Sequence, residues 1–169
     1  MLARVARVLA EAEIGYRVTG GLAGNLHGSA WPLHDIDLDA PSGALEALAA
    51  RFRAKPGTLP EDVLGPGRYR DEEFDIDLLE LRLEGVDVDV AGTGDAAILT
   101  PQGARQSLRI DLARAELHRL GALRLPVAPL ADLLDYKRVI GRTADLAELE
   151  RLAGSARRSP AAPPSGAPR

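Results

Sequence analysis

The chain has 169 residues, a formal net charge of -4, 46% hydrophobic residues and no cysteine. That length suits one domain with a core large enough to fold without disulfides, and the missing thiols exclude disulfides, zinc-thiolate sites and cysteine catalysis while fitting a reducing cytoplasm, the expected location. The acidic balance argues against extended nucleic-acid coating, 4% aromatic residues are too few for a stacking platform, and no apolar run is long enough to span a bilayer.

Residues 2–13 place Leu2, Val5, Leu9 and Ala12 at helical spacing with Arg4, Arg7, Glu11 and Glu13 outward, which predicts an amphipathic helix ended by Gly15. Tyr16-Arg17-Val18-Thr19 reads as a short strand running into Gly20-Gly21, a tight exit where backbone can approach a ligand. Leu22 and Leu26 start a second helix, whose first amides would suit phosphate oxygens. His27 reads as a structural hydrogen-bonding residue. Trp31 either covers the end of the core or lines a base pocket.

Asp35-Ile36-Asp37-Leu38-Asp39 follows. In a strand Ile36 and Leu38 point one way and the three carboxylates the other. Clustered carboxylates repel unless a cation offsets them, and a divalent metal on Asp35 and Asp37 would do so with hard oxygen ligands. A helix is expected over 42–53, with Leu45, Leu48, Ala49 and Phe52 inward. The stretch 56–70 reads as a proline- and glycine-rich connection whose Arg68 and Arg70 are surface charges or a mobile rim for polyphosphate.

Residues 74–83 and 86–91 carry the strongest strand signal, joined by a two-residue turn at Glu84-Gly85. That turn sets Leu83 against Val86 and Leu81 against Val88, with Glu80 opposite Asp89 and Arg82 opposite Asp87 on the other face. Asp75 and Asp77 fall on the side of Leu79 and Leu81, so they are weaker metal candidates than Asp87 and Asp89. Residues 98–115 show no clear period. A hairpin over 116–120 and 123–127 would leave His118 on the surface. Pro129 opens a helix carrying Leu130, Leu133, Leu134 and Lys137, broken at Gly141, and Thr143 caps a last helix. Residues 1–153 thus form one domain, and 154–169 read as a disordered tail.

These motifs resemble the nucleotidyltransferase superfamily related to DNA polymerase beta: a Gly-Gly turn in Val18-Thr19-Gly20-Gly21, then alternating aspartates in His34-Asp35-Ile36-Asp37-Leu38, then a later acidic strand. Asp89 is the match for the third carboxylate, with Asp87, Asp77 and Asp75 as competitors. Leu134-Asp135-Tyr136-Lys137 and Arg142-Thr143-Ala144-Asp145-Leu146 look like the later helical element of small toxin-like and antibiotic-modifying members. The resemblance spans roughly residues 12–153. It implies an α/β fold with a mixed sheet and helices mainly on one face. It also implies Mg²⁺-dependent (or Mn²⁺-dependent) transfer of a nucleoside monophosphate from a nucleoside triphosphate such as ATP, with release of pyrophosphate. Asp35, Asp37 and Asp89 would be the metal ligands and catalytic residues, Asp89 also taking the hydroxyl proton. Gly20, Gly21 and Lys137 would meet the phosphates. The acceptor would be an RNA end such as tRNA, a small molecule or a protein. A noncatalytic or antitoxin-like partner of a toxin–antitoxin system, and a metal-dependent phosphohydrolase, are the other readings of the same residues.

Overall fold

The structure is a computed structural model that describes residues 1–55 and 62–158. A mixed sheet dominates it, its strands in the spatial order 105–107, 97–99, 74–83, 86–92, 35–40, 17–18, 123–127 and 116–120, with 63–70 added on the other edge of 74–83. Its centre is set by β2 (Asp35–Ala40) and β5 (Val86–Gly92), which run parallel with Asp35 beside Asp87 and Asp37 beside Asp89. β1 (Arg17–Val18) lies antiparallel to β2 and parallel to β9 (Leu123–Val127), which forms a hairpin with the edge strand β8 (Glu116–Leu120).

The alternation in the sequence accounts for the two faces. Ile36, Leu38, Val88, Val90, Leu79 and Leu81 enter the core. There they meet Val5, Val8 and Leu9 of α1 (Leu2–Glu11), Leu48 and Phe52 of α3 (Leu45–Arg53), and Leu149 of α5 (Thr143–Arg158). The odd-numbered carboxylates of β2 and β5 consequently face away from that core. β4 (Phe74–Leu83) pairs with β5 in the expected register, Leu83 with Val86, Leu81 with Val88, Glu80 with Asp89 and Arg82 with Asp87. α2 (Gly20–Leu26) leaves β1 directly at the glycine pair, and α4 (Leu130–Ile140) ends at Gly141, whose φ of 76° is left-handed. The first chain reversal differs from expectation. α1 stops at Glu11, and it is Glu13 that takes a positive φ.

Three other differences matter. The stretch read as a connection contains β3 (Val63–Arg70), antiparallel to β4 with a bulge between Leu64 and Gly67. Pro66 falls inside that bulge, where a strand tolerates a residue without an N–H. The aperiodic 98–115 region overlaps two three-residue strands, β6 (Ala97–Leu99) and β7 (Arg105–Ser107). α5 continues to Arg158, past the 153 boundary, while residues 159–169 lie outside the described residues, as do 56–61 of the expected connection. Among the described residues no helix is long and apolar enough to cross a membrane.

One buried ion network ties the sheet to α4. Arg17 Nε donates to Asp39 Oδ2 and Nη1 to Asp132 Oδ2, both at 2.7 Å, and Arg114 reaches the other Asp132 oxygen at 2.9 Å. Arg17 and Asp39 are each only 4% exposed. Removing the guanidinium would leave Asp39 buried without a counter-charge. Arg17→Met should therefore cost about 3–5 kcal/mol in urea denaturation at neutral pH. A loss below about 1 kcal/mol would show that the network does not hold α4 to the sheet.

Candidate active site and metal centre

The parallel register of β2 and β5 brings Asp35, Asp37 and Asp89 together on the sheet face opposite the core. One oxygen of each lies within 4.8 Å of the others. Among the described residues none of the three forms an ion pair, and neither does Glu80 opposite Asp89, whereas four other acidic neighbours are held by arginine. Asp39 is held by Arg17, Asp87 by Arg82 at 2.8 and 3.1 Å, and Asp77 by Arg68 at 3.3 Å. Asp75 accepts from Arg68, Arg70 and Arg105, which keep its carboxyl well below the usual range. The competitors for the third position are thus paired elsewhere. Arg68 and Arg70 form no rim for the cluster, because they bind Asp75.

Electrostatics follow this partition. Asp37 is pushed up to about 6 by burial and by repulsion from Asp35 and Asp89, against a lowering hydrogen bond from the Gly21 amide. Asp89 is also pushed up to about 6, by burial and then by Glu80, Asp35 and Asp87. A hard oxygen-ligated cation is the natural offset for such a group, and the donor set fits Mg²⁺ or Mn²⁺.

The glycine turn is shaped around Asp37. Gly20 has a φ of +59°, and a Cβ placed on it would sit 1.7 Å from Asp37 Oδ2 and 2.5 Å from its carboxyl carbon. Only a residue with no side chain lets β1 turn into α2 at that distance. Behind it, Trp31 packs on Gly24, where a Cβ would meet the indole at 2.3 Å. Asn25 fixes this loop, donating to the Trp31 carbonyl at 2.8 Å and accepting from the Trp31 amide at 3.0 Å. The role of Asn25 is thus structural, clamping a residue six positions further along the chain.

These groups open on a cleft of about 890 Å³. Gly20, Gly21, Trp31 and Lys137 line one side, and Phe74, Ile76, Leu78, Ile98 and Ile110 give an apolar wall opposite. Most cations in the cleft are already paired. Lys137 Nζ donates to Asp145 and lies 5.8 Å from the Trp31 ring centroid and 5.3 Å from that of Tyr136, and Arg142 binds Glu73. Arg109 also lines the cleft, is exposed, and forms no ion pair among the described residues. It lies in the aperiodic stretch, so the sequence offered no reason to single it out.

No family model matches the sequence, and comparison with curated proteins finds no significant match. Solved structures do match. A candidate nucleotidyltransferase from Thermotoga maritima is 20% identical with a TM-score of 0.66, covering 91% of each chain. The lincosamide antibiotic adenylyltransferase LnuA, solved with lincomycin, is 13% identical with a TM-score of 0.53, covering 89% of this chain and 95% of its own. The fold is therefore nucleotidyltransferase-like, an α/β mixed sheet with the glycine turn and the carboxylate strands in the order the sequence suggested.

Because the Asp37 carboxyl titrates higher in the folded protein than in the unfolded chain, its charge destabilises the metal-free fold above about pH 6. That penalty disappears as pH falls below the unfolded value near 4. Metal-free Asp37→Asn should therefore be more stable than the parent at pH 7.5, by at most about 3 kcal/mol, with the gap closing toward pH 4. Melting curves in a chelator across that range check this. A variant less stable than the parent at pH 7.5 would contradict it.

Proposed function

We propose that the protein transfers a nucleoside monophosphate from a nucleoside triphosphate to a hydroxyl of a small molecule, with release of pyrophosphate. The observation that carries this reading is the cluster of Asp35, Asp37 and Asp89, held together without a protein counter-charge beside the Gly20-Gly21 turn. A divalent cation bound by these three carboxylates supplies Lewis-acid stabilisation of the phosphoryl charge. Asp35 and Asp37 sit on the nucleotide side, next to the glycine turn. Asp89, on the acceptor side, would also serve as the general base. The acceptor oxygen attacks the α-phosphorus while its proton passes to Asp89. The bond from phosphorus to the bridging oxygen breaks, and pyrophosphate leaves.

Around the reacting atoms, the backbone at Gly20 and Gly21 allows close approach of phosphates, and Arg109 and Lys137 are the cations placed to neutralise them. Arg109 is the more available, since Lys137 first has to share its charge with Asp145. Trp31 offers a ring to a base. The apolar wall of Ile76, Leu78 and Ile98 suits a compact acceptor with a hydrophobic face, and the cleft falls in the size range of small-molecule sites. The net charge of -4 disfavours extended binding along an RNA backbone. LnuA, which shares the fold, is named for adenylyl transfer to a lincosamide and was solved with lincomycin, in line with a small-molecule acceptor here.

Each α-labelled nucleoside triphosphate, supplied with Mg²⁺ and a mixed pool of hydroxylated metabolites, should label one acceptor. Asp89→Asn should lower the transfer by about 10²–10⁴-fold, the scale of a lost general base. Asp87→Asn, which removes only an exposed partner of Arg82, should change it little. Release of inorganic phosphate with no labelled acceptor would favour the phosphohydrolase reading. Nucleotide binding without any turnover would favour a noncatalytic partner. In the same assay Arg109→Ala should weaken triphosphate binding by about tenfold, a typical value for one charge-assisted contact. An unchanged dissociation constant would remove Arg109 from the site.

A further inference from the structure

Two of the three histidines lie outside the cleft, at the far end of α2. His27 is the C-cap of α2, and His118 lies on the edge strand β8. Their rings meet edge to face, with centroids 4.6 Å apart and planes at 75°. Glu116 is two residues before His118 on the same strand, hence on the same face. One donor atom from each of His27, Glu116 and His118 lies within 4.8 Å of the other two.

The hydrogen bonds decide which nitrogens are free. His27 Nε2 lies 2.8 Å from the Ala128 carbonyl, and His118 Nδ1 lies 3.1 Å from the Leu26 carbonyl. A carbonyl only accepts, so each of these nitrogens carries the proton. The lone pairs are then left on His27 Nδ1 and His118 Nε2. An imidazole that gives its other N–H to a backbone carbonyl is oriented and made more basic as a metal ligand. Glu116 Oε2 stands 3.7 Å from His118 Nε2. Two ligands on one tetrahedral zinc are roughly 3.4 Å apart, given bonds of about 2.0–2.1 Å. Glu116 is exposed, so its side chain is free to close that small difference.

We infer that His27, His118 and Glu116 form a second metal site, separate from the aspartate cluster, that takes a zinc-class divalent cation. Two neutral imidazoles and one carboxylate favour zinc, nickel or copper over magnesium, whereas the all-oxygen cluster on the other side of α2 favours magnesium. The exposed side of the site leaves a fourth position to water. A cation there pins the C-terminal end of α2 to the sheet edge. The other end of the same helix carries Gly20 against Asp37, so the second site steadies the helix that shapes the first. The inference does not rest on nucleotidyl transfer.

The test is zinc titration of the full-length protein in millimolar Mg²⁺ against a competing colorimetric chelator, with histidine ring signals followed by NMR. The expected result is about one zinc per chain, with shifts of the His27 and His118 rings, no shift of His34, and a higher melting temperature. His118→Gln and Glu116→Gln should each weaken zinc binding by about tenfold or more. Glu116 is a surface side chain, so the second change keeps the test valid if the first disturbs folding. Asp37→Asn, which removes no ligand of this site, should still bind about one zinc per chain. No zinc binding by the parent, equal affinity in the parent and both ligand variants, or loss of zinc in Asp37→Asn alone would overturn the inference.

Discussion

The constraint on which the structure depends is the parallel register of β2 and β5. It sets Asp37 beside Asp89 and leaves Asp35 next to both, with no basic side chain among the described residues paired to any of the three. Two carboxylates about 4 Å apart repel by about 4 kcal/mol at the effective dielectric of a protein surface. Fully burying one large apolar side chain contributes about 1.5–3 kcal/mol. Each such pair therefore costs about as much as one to three core residues provide. The opposite face of the same strands, with Leu38, Val88 and Val90 fully buried, is where that cost is met.

Charge is distributed so that this cost falls in one place. Acidic residues are dense on β2, β4 and β5, yet Asp39, Asp75, Asp77 and Asp87 each have an arginine. Arginine's planar fork suits such pairing, and Asp87 is held in that way by two nitrogens of Arg82. The Gly20 backbone presses on Asp37 and fixes it from the side of α2, so position as well as charge is specified.

Much of this was legible in the sequence. Period-two alternation identified β2, β4 and β5, and the Glu84-Gly85 turn gave their hairpin register, because one-residue slips would have turned the valines outward. The Gly-Gly turn ahead of the aspartates pointed to a site. What was not legible depended on distant partners or weak local patterns. β3 is an edge strand with mostly exposed side chains and a proline in its bulge, so neither alternation nor composition marked it. Arg17 looked like an ordinary strand residue because its partner Asp132 is 115 positions away. His118 was expected on the surface. It is half-buried because its ring packs on His27, a contact made only when β8 docks beside α2.

The central claim is that these three carboxylates hold a divalent cation where it meets the phosphates of a nucleotide. Crystals grown with Mn²⁺ and a non-hydrolysable nucleoside triphosphate test it most directly, through the anomalous signal of manganese. The account predicts a peak bonded to oxygens of Asp35, Asp37 and Asp89 and to the triphosphate, with the phosphates beside Gly20 and Gly21. Ordered nucleotide elsewhere in the cleft, or manganese bound away from these three aspartates, would contradict it.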